Sequence, residues 1–151
     1  MIRVQREDFD FAQEVAALSV GNHGVGGVCA FSGLVRDMAG DTKIDSMTLE
    51  HYPGMTEKSL EEIEAEARRR WPLEKTLIIH RYGRLEPGDQ IVLVAAASAH
   101  RDAAFDACRF LIDWLKTKAP FWKLEGSEND TQWVDAKESD NLAHDRWVEE
   151  D

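Results

Sequence analysis

Two lysines seven residues apart, Lys116 and Lys123, flank the run Ala119-Pro120-Phe121-Trp122. If the chain turns back at the proline, both ammonium groups enter one pocket walled by aromatic rings. Two like charges in a partly desolvated site push one lysine below its usual pKa of about 10.4, which makes it a base or a nucleophile. The competing reading is a lysine that merely suits the negative end of a helix. Upstream, Ser98-Ala99-His100-Arg101 falls where a strand gives way to a helix, a place where free backbone N–H groups and side chains hold anions. There the alternative is local pairing with Asp102 or Asp106. Arg36 closes a glycine-containing apolar run before a polar loop, so its guanidinium is either a phosphate clamp or half of a surface ion pair with Asp37 or Asp41. His23, His51, His80 and His144 show no metal-ligand spacing and read as structural or surface histidines. Gly24, Gly26 and Gly27 form neither a GxGxxG nor a P-loop pattern.

The elements that must carry these residues follow from periodicity. Ile2 to Val4 reads as a short strand, and Asp8 or Asp10 caps a helix bearing Phe11, Val15, Ala16 and Leu18 that stops at Gly21. Gly24 to Arg36 is expected as a strand whose glycines permit close backbone approach, and Asp37 to Lys43 as a polar loop. Ser46 to Tyr52 alternates as a half-buried strand. Thr56 to Trp71 repeats Leu60, Ile63, Ala67 and Trp71 at helical spacing, with Arg68, Arg69 and Arg70 as a solvated last turn. Thr76 to Tyr82 and Gln90 to Ser98 are strands in a hairpin-like arrangement, with Pro87-Gly88 in a type II turn. Ala103 to Lys116 is a helix with Ala104, Ala107, Cys108, Leu111, Ile112 and Leu115 on one stripe, ended by Pro120. Phe121 to Glu125 and Gln132 to Ala136 are short strands, and Ser139 to Trp147 is a terminal helical turn or two. Helices mixed with hairpins predict an α+β fold with mixed or antiparallel sheets rather than a doubly wound one. No repeat or linker divides the chain, so one domain is expected over residues 1–151, with an acidic C-terminal segment 124–151.

Composition restricts the partners. The 151 residues carry 18 Lys and Arg against 29 Asp and Glu, a net charge of -11, which argues against nucleic acid and anionic membranes because both need counterion displacement by basic residues. No apolar run approaches a membrane span, and the first residues hold no apolar signal region. Two cysteines, Cys29 and Cys108, sit among apolar neighbours as buried thiols, which fits a reducing, cytoplasmic setting. The charge is uneven: residues 100–123 sum to +2 while 124–151 sum to -8. The basic segment is the one that holds His100, Arg101, Lys116 and Lys123.

Nearly the whole chain resembles one family. FSGLVR at 31–36, LEHYPGM at 49–55, IHRYGRLEPGD at 79–89, SAHR at 98–101 and DWLKTKAPFWKLE at 113–125 together, in this order, are similar to the large, catalytic subunit of molybdopterin synthase. The resemblance implies an α/β-hammerhead-like fold and a sulfurtransferase of molybdenum cofactor biosynthesis. Such an enzyme converts cyclic pyranopterin monophosphate to molybdopterin by building the dithiolene, with no cofactor or metal of its own. The sulfur would arrive as a thiocarboxylate on the C-terminus of a small ubiquitin-like subunit, in a heterotetramer built on a homodimer of large subunits. By position, Lys116 and Lys123 match the family's catalytic lysines. Arg36, His100 and Arg101 match residues that bind the pterin phosphate, with Leu34, Val35, Leu124 and Glu125 as pocket lining. Two departures stand out. Leu124 replaces a residue that is often basic, and Lys137 replaces an arginine that completes the pocket across the dimer, keeping the charge but losing the bidentate fork. The other reading is a non-catalytic α+β module that binds a small phosphorylated ligand or scaffolds a complex, with the two lysines merely closing structure.

Overall fold

The computed structural model describes residues 1–127, 130–134 and 138–148. The element order is β1 (Ile2–Gln5), α1 (Phe11–Ala17), β2 (Gly27–Leu34), β3 (Met38–Ala39), β4 (Thr42–Lys43), β5 (Ser46–His51), α2 (Met55–Arg70), β6 (Leu73–Arg81), β7 (Gly83–Leu85), β8 (Gln90–Ser98), α3 (Arg101–Lys118), β9 (Phe121–Ser127), β10 (Asp130–Val134) and α4 (Glu138–Asp145).

The first sheet runs β1-β6-β8-β2, with β1 parallel to β6 and the other pairs antiparallel. Its central strand β8 reads as one apolar run because both of its faces are covered. Val92, Val94 and Ala96 face α2 and α3 through Leu60, Ile63, Ala107, Phe110, Leu111 and Leu115. The alternate residues Leu93, Ala95 and Ala97 pack with Phe9 and Leu18 on the other side. Period-2 alternation therefore divides one hydrophobic strand between two cores. Residues 1–5 join this sheet, and the Asp10 side chain caps α1 by accepting from the Gln13 N–H at 3.0 Å.

The second sheet runs β10-β9-β5-β7, all antiparallel, around a small core of Val35, Met47, Leu49 and Leu85. Here the structure corrects three sequence expectations. The segment between β6 and β8 is not a simple hairpin connection, because Gly83–Leu85 leaves the first sheet and pairs with β5 in the second. The expected turn survives at its far end, where the Asp89 N–H donates to the Glu86 carbonyl at 3.0 Å and Gly88 takes a φ of 92°. The loop at 37–43 holds a two-strand ladder, β3 with β4. The strand expected from Gly24 begins at Gly27, and the close approach comes just before it: a Cβ on Gly26 would lie 2.1 Å from the Ala99 carbonyl oxygen.

The three arginines ending α2 are not equivalent. Arg69 is exposed, as expected, but only 14% of the Arg70 side chain is accessible. It lies over the Phe110 and Trp114 rings and donates to the Trp147 carbonyl at 2.6 Å. Arg69 and Arg70 together hold the Glu66 carboxyl down to about 2. Arg70 thus joins α2 to α3 and to the chain following α4. The Trp147 indole N–H adds a bond to Asp113 at 2.7 Å, so the C-terminal helix is fastened along α3.

Candidate active site

The two lysines are set by the chain reversal at Pro120. α3 ends when the Ala119 N–H donates to the Leu115 carbonyl. Pro120 cannot continue a helix, and β9 starts at Phe121 in register with β5, His51 opposite Phe121 and Leu49 opposite Lys123. Alternation along β9 sends Phe121, Lys123 and Glu125 to one face, where they line a cavity of about 650 Å³ together with Lys116 from α3. Leu34 and Arg36, at the end of β2 and just beyond it, close another side with Met38 of β3. Asp140 of α4 completes the wall.

The cavity therefore holds three cations, Arg36, Lys116 and Lys123, against two carboxylates, Glu125 and Asp140. Lys116 is 48% exposed and its Nζ lies 3.9 Å from Asp140 Oδ1, a weak pair in partial solvent. Such an arrangement binds an anion at one side and leaves a mobile ammonium beside it.

His80, expected as a structural or surface residue, lies on the cavity wall. Its ring stacks on Phe121 at 3.7 Å between centroids, and its Nδ1 lies 2.8 Å from the Arg81 carbonyl, which fixes Nδ1 as the protonated nitrogen. Burial pushes its pKa down to about 4; the Arg81 carbonyl opposes this, and the charges of Lys123 and His51 reinforce it. The imidazole is thus neutral at pH 7. The unfolded chain takes up a proton at His80 near pH 6.5, whereas the folded chain does so only near 4. Stability from this residue is therefore complete above about pH 6.5 and drains away as pH falls toward 4, by about 3 kcal/mol in all. In urea unfolding at stepped pH, the free-energy advantage of the wild type over His80→Gln should shrink by that amount between pH 7 and 4. A difference that stays constant with pH would contradict the burial account.

The sequence-predicted residues separate into groups. Arg36, Lys116, Lys123, Leu34 and Glu125 meet at the cavity. Val35, 3% exposed, points into the core of the second sheet, and Leu124 lies on the other face of β9 from Lys123. Both follow from alternation, since each neighbours a residue that does face the cavity. His100 and Arg101 are exposed at the opposite end of α3, about 22 Å along its axis from Lys116 at 1.5 Å per residue. Within one chain they do not reach the same ligand. Lys137 lies outside the described residues. Asp140 and His80 escaped the sequence reading: the first needed the path of the C-terminal helix, and the second needed knowledge of which strand face opens onto the cavity. Cys108 is buried with its thiol pushed up by burial, Cys29 lies half-buried beside it, and neither lines the cavity.

The family model described as "MoaE protein" matches residues 4–118. A molybdopterin synthase catalytic subunit from Pseudomonas aeruginosa is 55% identical over 148 residues, 98% of this chain and 99% of that one. The solved molybdopterin biosynthesis MoaE protein from Burkholderia ambifaria superposes with a TM-score of 0.84 at 52% identity, covering 99% of each chain. A protein–protein complex of subunits 1 and 2 of molybdopterin-converting factor from Helicobacter pylori shares the fold at a TM-score of 0.73 and 18% identity, over 88% of this chain and 89% of that one.

Proposed function

The chain belongs to the MoaE protein family, and from that premise we propose that it is the catalytic subunit of a molybdopterin synthase acting as a sulfurtransferase in the cytoplasm. The residue range 1–151 forms one such domain. Its substrate is cyclic pyranopterin monophosphate, and its sulfur donor is the thiocarboxylated C-terminus of a small ubiquitin-like subunit. The observation that carries this reading is the convergence of Lys116 from α3, Lys123 from β9 and Arg36 from the segment just after β2 on one cavity of about 650 Å³. A volume of that order suits a bicyclic or tricyclic ligand together with the end of an extended peptide tail.

In each half-reaction a carbon–sulfur bond forms to a side-chain carbon of the pterin while a carbon–oxygen bond at that carbon breaks, its oxygen leaving on the phosphate or, once protonated, as water. The acyl carbon–sulfur bond of the donor then breaks. Water supplies the oxygen that leaves the partner's terminus a carboxylate. Charge moves from the thiocarboxylate to oxygen atoms of the intermediate, and Lys116, on the accessible side of the cavity, stabilises or protonates them. Lys123, half-buried beside His80, holds the substrate or acts as the second acid–base group. Arg36 offers a fork of N–H donors to the phosphate. The sulfur is delivered by the partner, so the reaction asks nothing of Cys29 or Cys108.

His100 and Arg101 enter through a second copy. β2 is one of the two edge strands of the first sheet and exposes Val28, Phe31 and Leu34 at 37%, 42% and 54%. Such an apolar edge calls for cover. Arg101 lies beside the start of β2, since a Cβ on Gly27 would be 3.5 Å from its Cα, whereas the cavity lies at the strand's other end. A two-fold axis beside β2 runs the two strands antiparallel and brings His100 and Arg101 of one copy to the cavity of the other. Lys137 is assigned to the same cross-subunit wall on the resemblance alone.

The direct test mixes the purified chain with a thiocarboxylated small subunit and cyclic pyranopterin monophosphate and follows dithiolene formation. Product that depends on all three components supports the enzyme. Tight binding of the pterin with no product under any condition supports the non-catalytic module instead.

A further inference from the structure

The sequence places a threonine two residues after the Pro53-Gly54 break, and the structure buries it completely where the lysine-bearing segment turns. The Thr56 hydroxyl accepts from the Tyr52 N–H at 2.9 Å and donates to the Pro120 carbonyl at 3.0 Å. The β5–β9 ladder runs from Ser46 opposite Gly126 to His51 opposite Phe121, so the next pair in register is Tyr52 with Pro120. At that step an ordinary sheet would bond the Tyr52 N–H straight to the Pro120 carbonyl. Here the hydroxyl is inserted between them.

The insertion has a geometric consequence. A direct bond would draw Pro120 into the sheet and lengthen β9, whereas the hydroxyl holds the two backbones apart and lets the chain bend away into α3. Pro120 lies four residues after Lys116 and three before Lys123. The hydroxyl is itself fixed, since Thr56 sits in the first turn of α2 with its N–H bonded to the Tyr52 carbonyl at 2.9 Å and its β-branched side chain restricted at χ1. Phe121, the residue after Pro120, is held from the other side by the His80 ring.

We infer that Thr56 is a positioning residue for the sulfur-transfer reaction proposed above, its hydroxyl setting the Pro120 carbonyl and through it the separation of Lys116 from Lys123. The inference rests on that reading of the two lysines. Thr56 touches neither substrate nor reacting atoms, and its effect is on where the ammonium groups stand.

The test is a graded series in the complete complex with the thiocarboxylated small subunit, assayed well below the lowest melting temperature. Thr56→Ser retains the hydroxyl and should keep kcat within about twofold. Thr56→Val retains the shape, loses both bonds, and should lower kcat about tenfold or more with a much smaller change in KM for the pterin, since misplacement by a fraction of an ångström acts on the transition state. Thr56→Cys offers a weaker and longer donor and should fall between them; it decides the matter if the valine variant does not fold. Melting temperatures that drop while kcat stays at the wild-type value in every folded variant would overturn the inference and leave Thr56 as structure only. Lys116→Ala and Lys123→Ala run alongside. If they too remain active, the reading of the lysines has failed; if they are inactive while the threonine series is fully active, only the role of Thr56 has.

Discussion

Lys116→Ala should fold, melt within a few degrees of the wild type, and lose dithiolene formation by a factor of about 10² to 10⁴, the range expected when a positioned proton donor or charge-stabilising group is removed. The stability half of this expectation comes from what the side chain touches. Lys116 is 48% exposed and its ion pair with Asp140 is 3.9 Å long, so its loss costs at most about 1 kcal/mol. The activity half comes from what it faces, a cavity whose other cations are fixed at the end of β2 and on β9. Lys123→Ala should lose activity comparably, but with a larger stability change, because Lys123 is half-buried in a strand paired with both β5 and β10. Lys116→Arg should not rescue, since a planar fork does not replace a point charge on a flexible stem. The measurement is product formation under single-turnover conditions with pre-thiocarboxylated partner, which separates chemistry from recharging of the donor. Wild-type rates in both alanine variants would remove the catalytic assignment and leave the lysines as the end of a helix and the edge of a pocket.

The proline explains why this pair was legible in the chain. Pro120 forces α3 to end within four residues of Lys116, so the sequence marks where the chain can turn, and the pairing of β9 with β5 supplies the reversal that brings Lys123 back. The main helices and strands were legible because most bury one periodic face and β8, covered on both, shows a continuous apolar run. What failed to show were features set by nonlocal pairing. Three residues of β7 carry too little pattern to reveal that Gly83–Leu85 changes sheets, and the two-residue strands at 38–43 are too short to show any alternation around Gly40. Val35 and Leu124 each stand one position from a cavity-lining residue, and backbone alternation turns their side chains away from it. His80 was unreadable because an isolated histidine in an apolar strand looks the same whether its neighbours form a core or a cavity wall. The opposite ends of α3 posed a different difficulty. His100, Arg101 and Lys116 are close in sequence and basic in sum, yet a helix of 18 residues holds its ends apart. Local charge in the chain did not translate into local charge in space.

That separation carries the second large effect. Arg101→Ala should abolish activity nearly as fully as Lys116→Ala, although Arg101 is exposed and about 22 Å from the cavity of its own chain. If it acts across a two-fold interface, two inactive variants must restore one another. Mixing Arg101→Ala and Lys116→Ala chains in equal amounts, under conditions that exchange subunits, makes half of the dimers mixed. Each mixed dimer holds one cavity with both defects and one with none, so about a quarter of all sites regain the wild-type constellation. Activity should rise from near zero to roughly that fraction, and only after exchange. The pair Lys116→Ala with Lys123→Ala is the control, because both residues lie in the same chain's cavity and every site in a mixed dimer keeps one defect. Recovery in the first mixture and none in the second is the expected pattern. The phosphate-binding role of Arg101 also predicts weaker pterin binding by calorimetry with little change in melting temperature, since its side chain covers no core. If exchange is verified and the first mixture stays inactive, then Arg101 does not serve the neighbouring cavity. The exposed edge of β2 must then be covered in some other way.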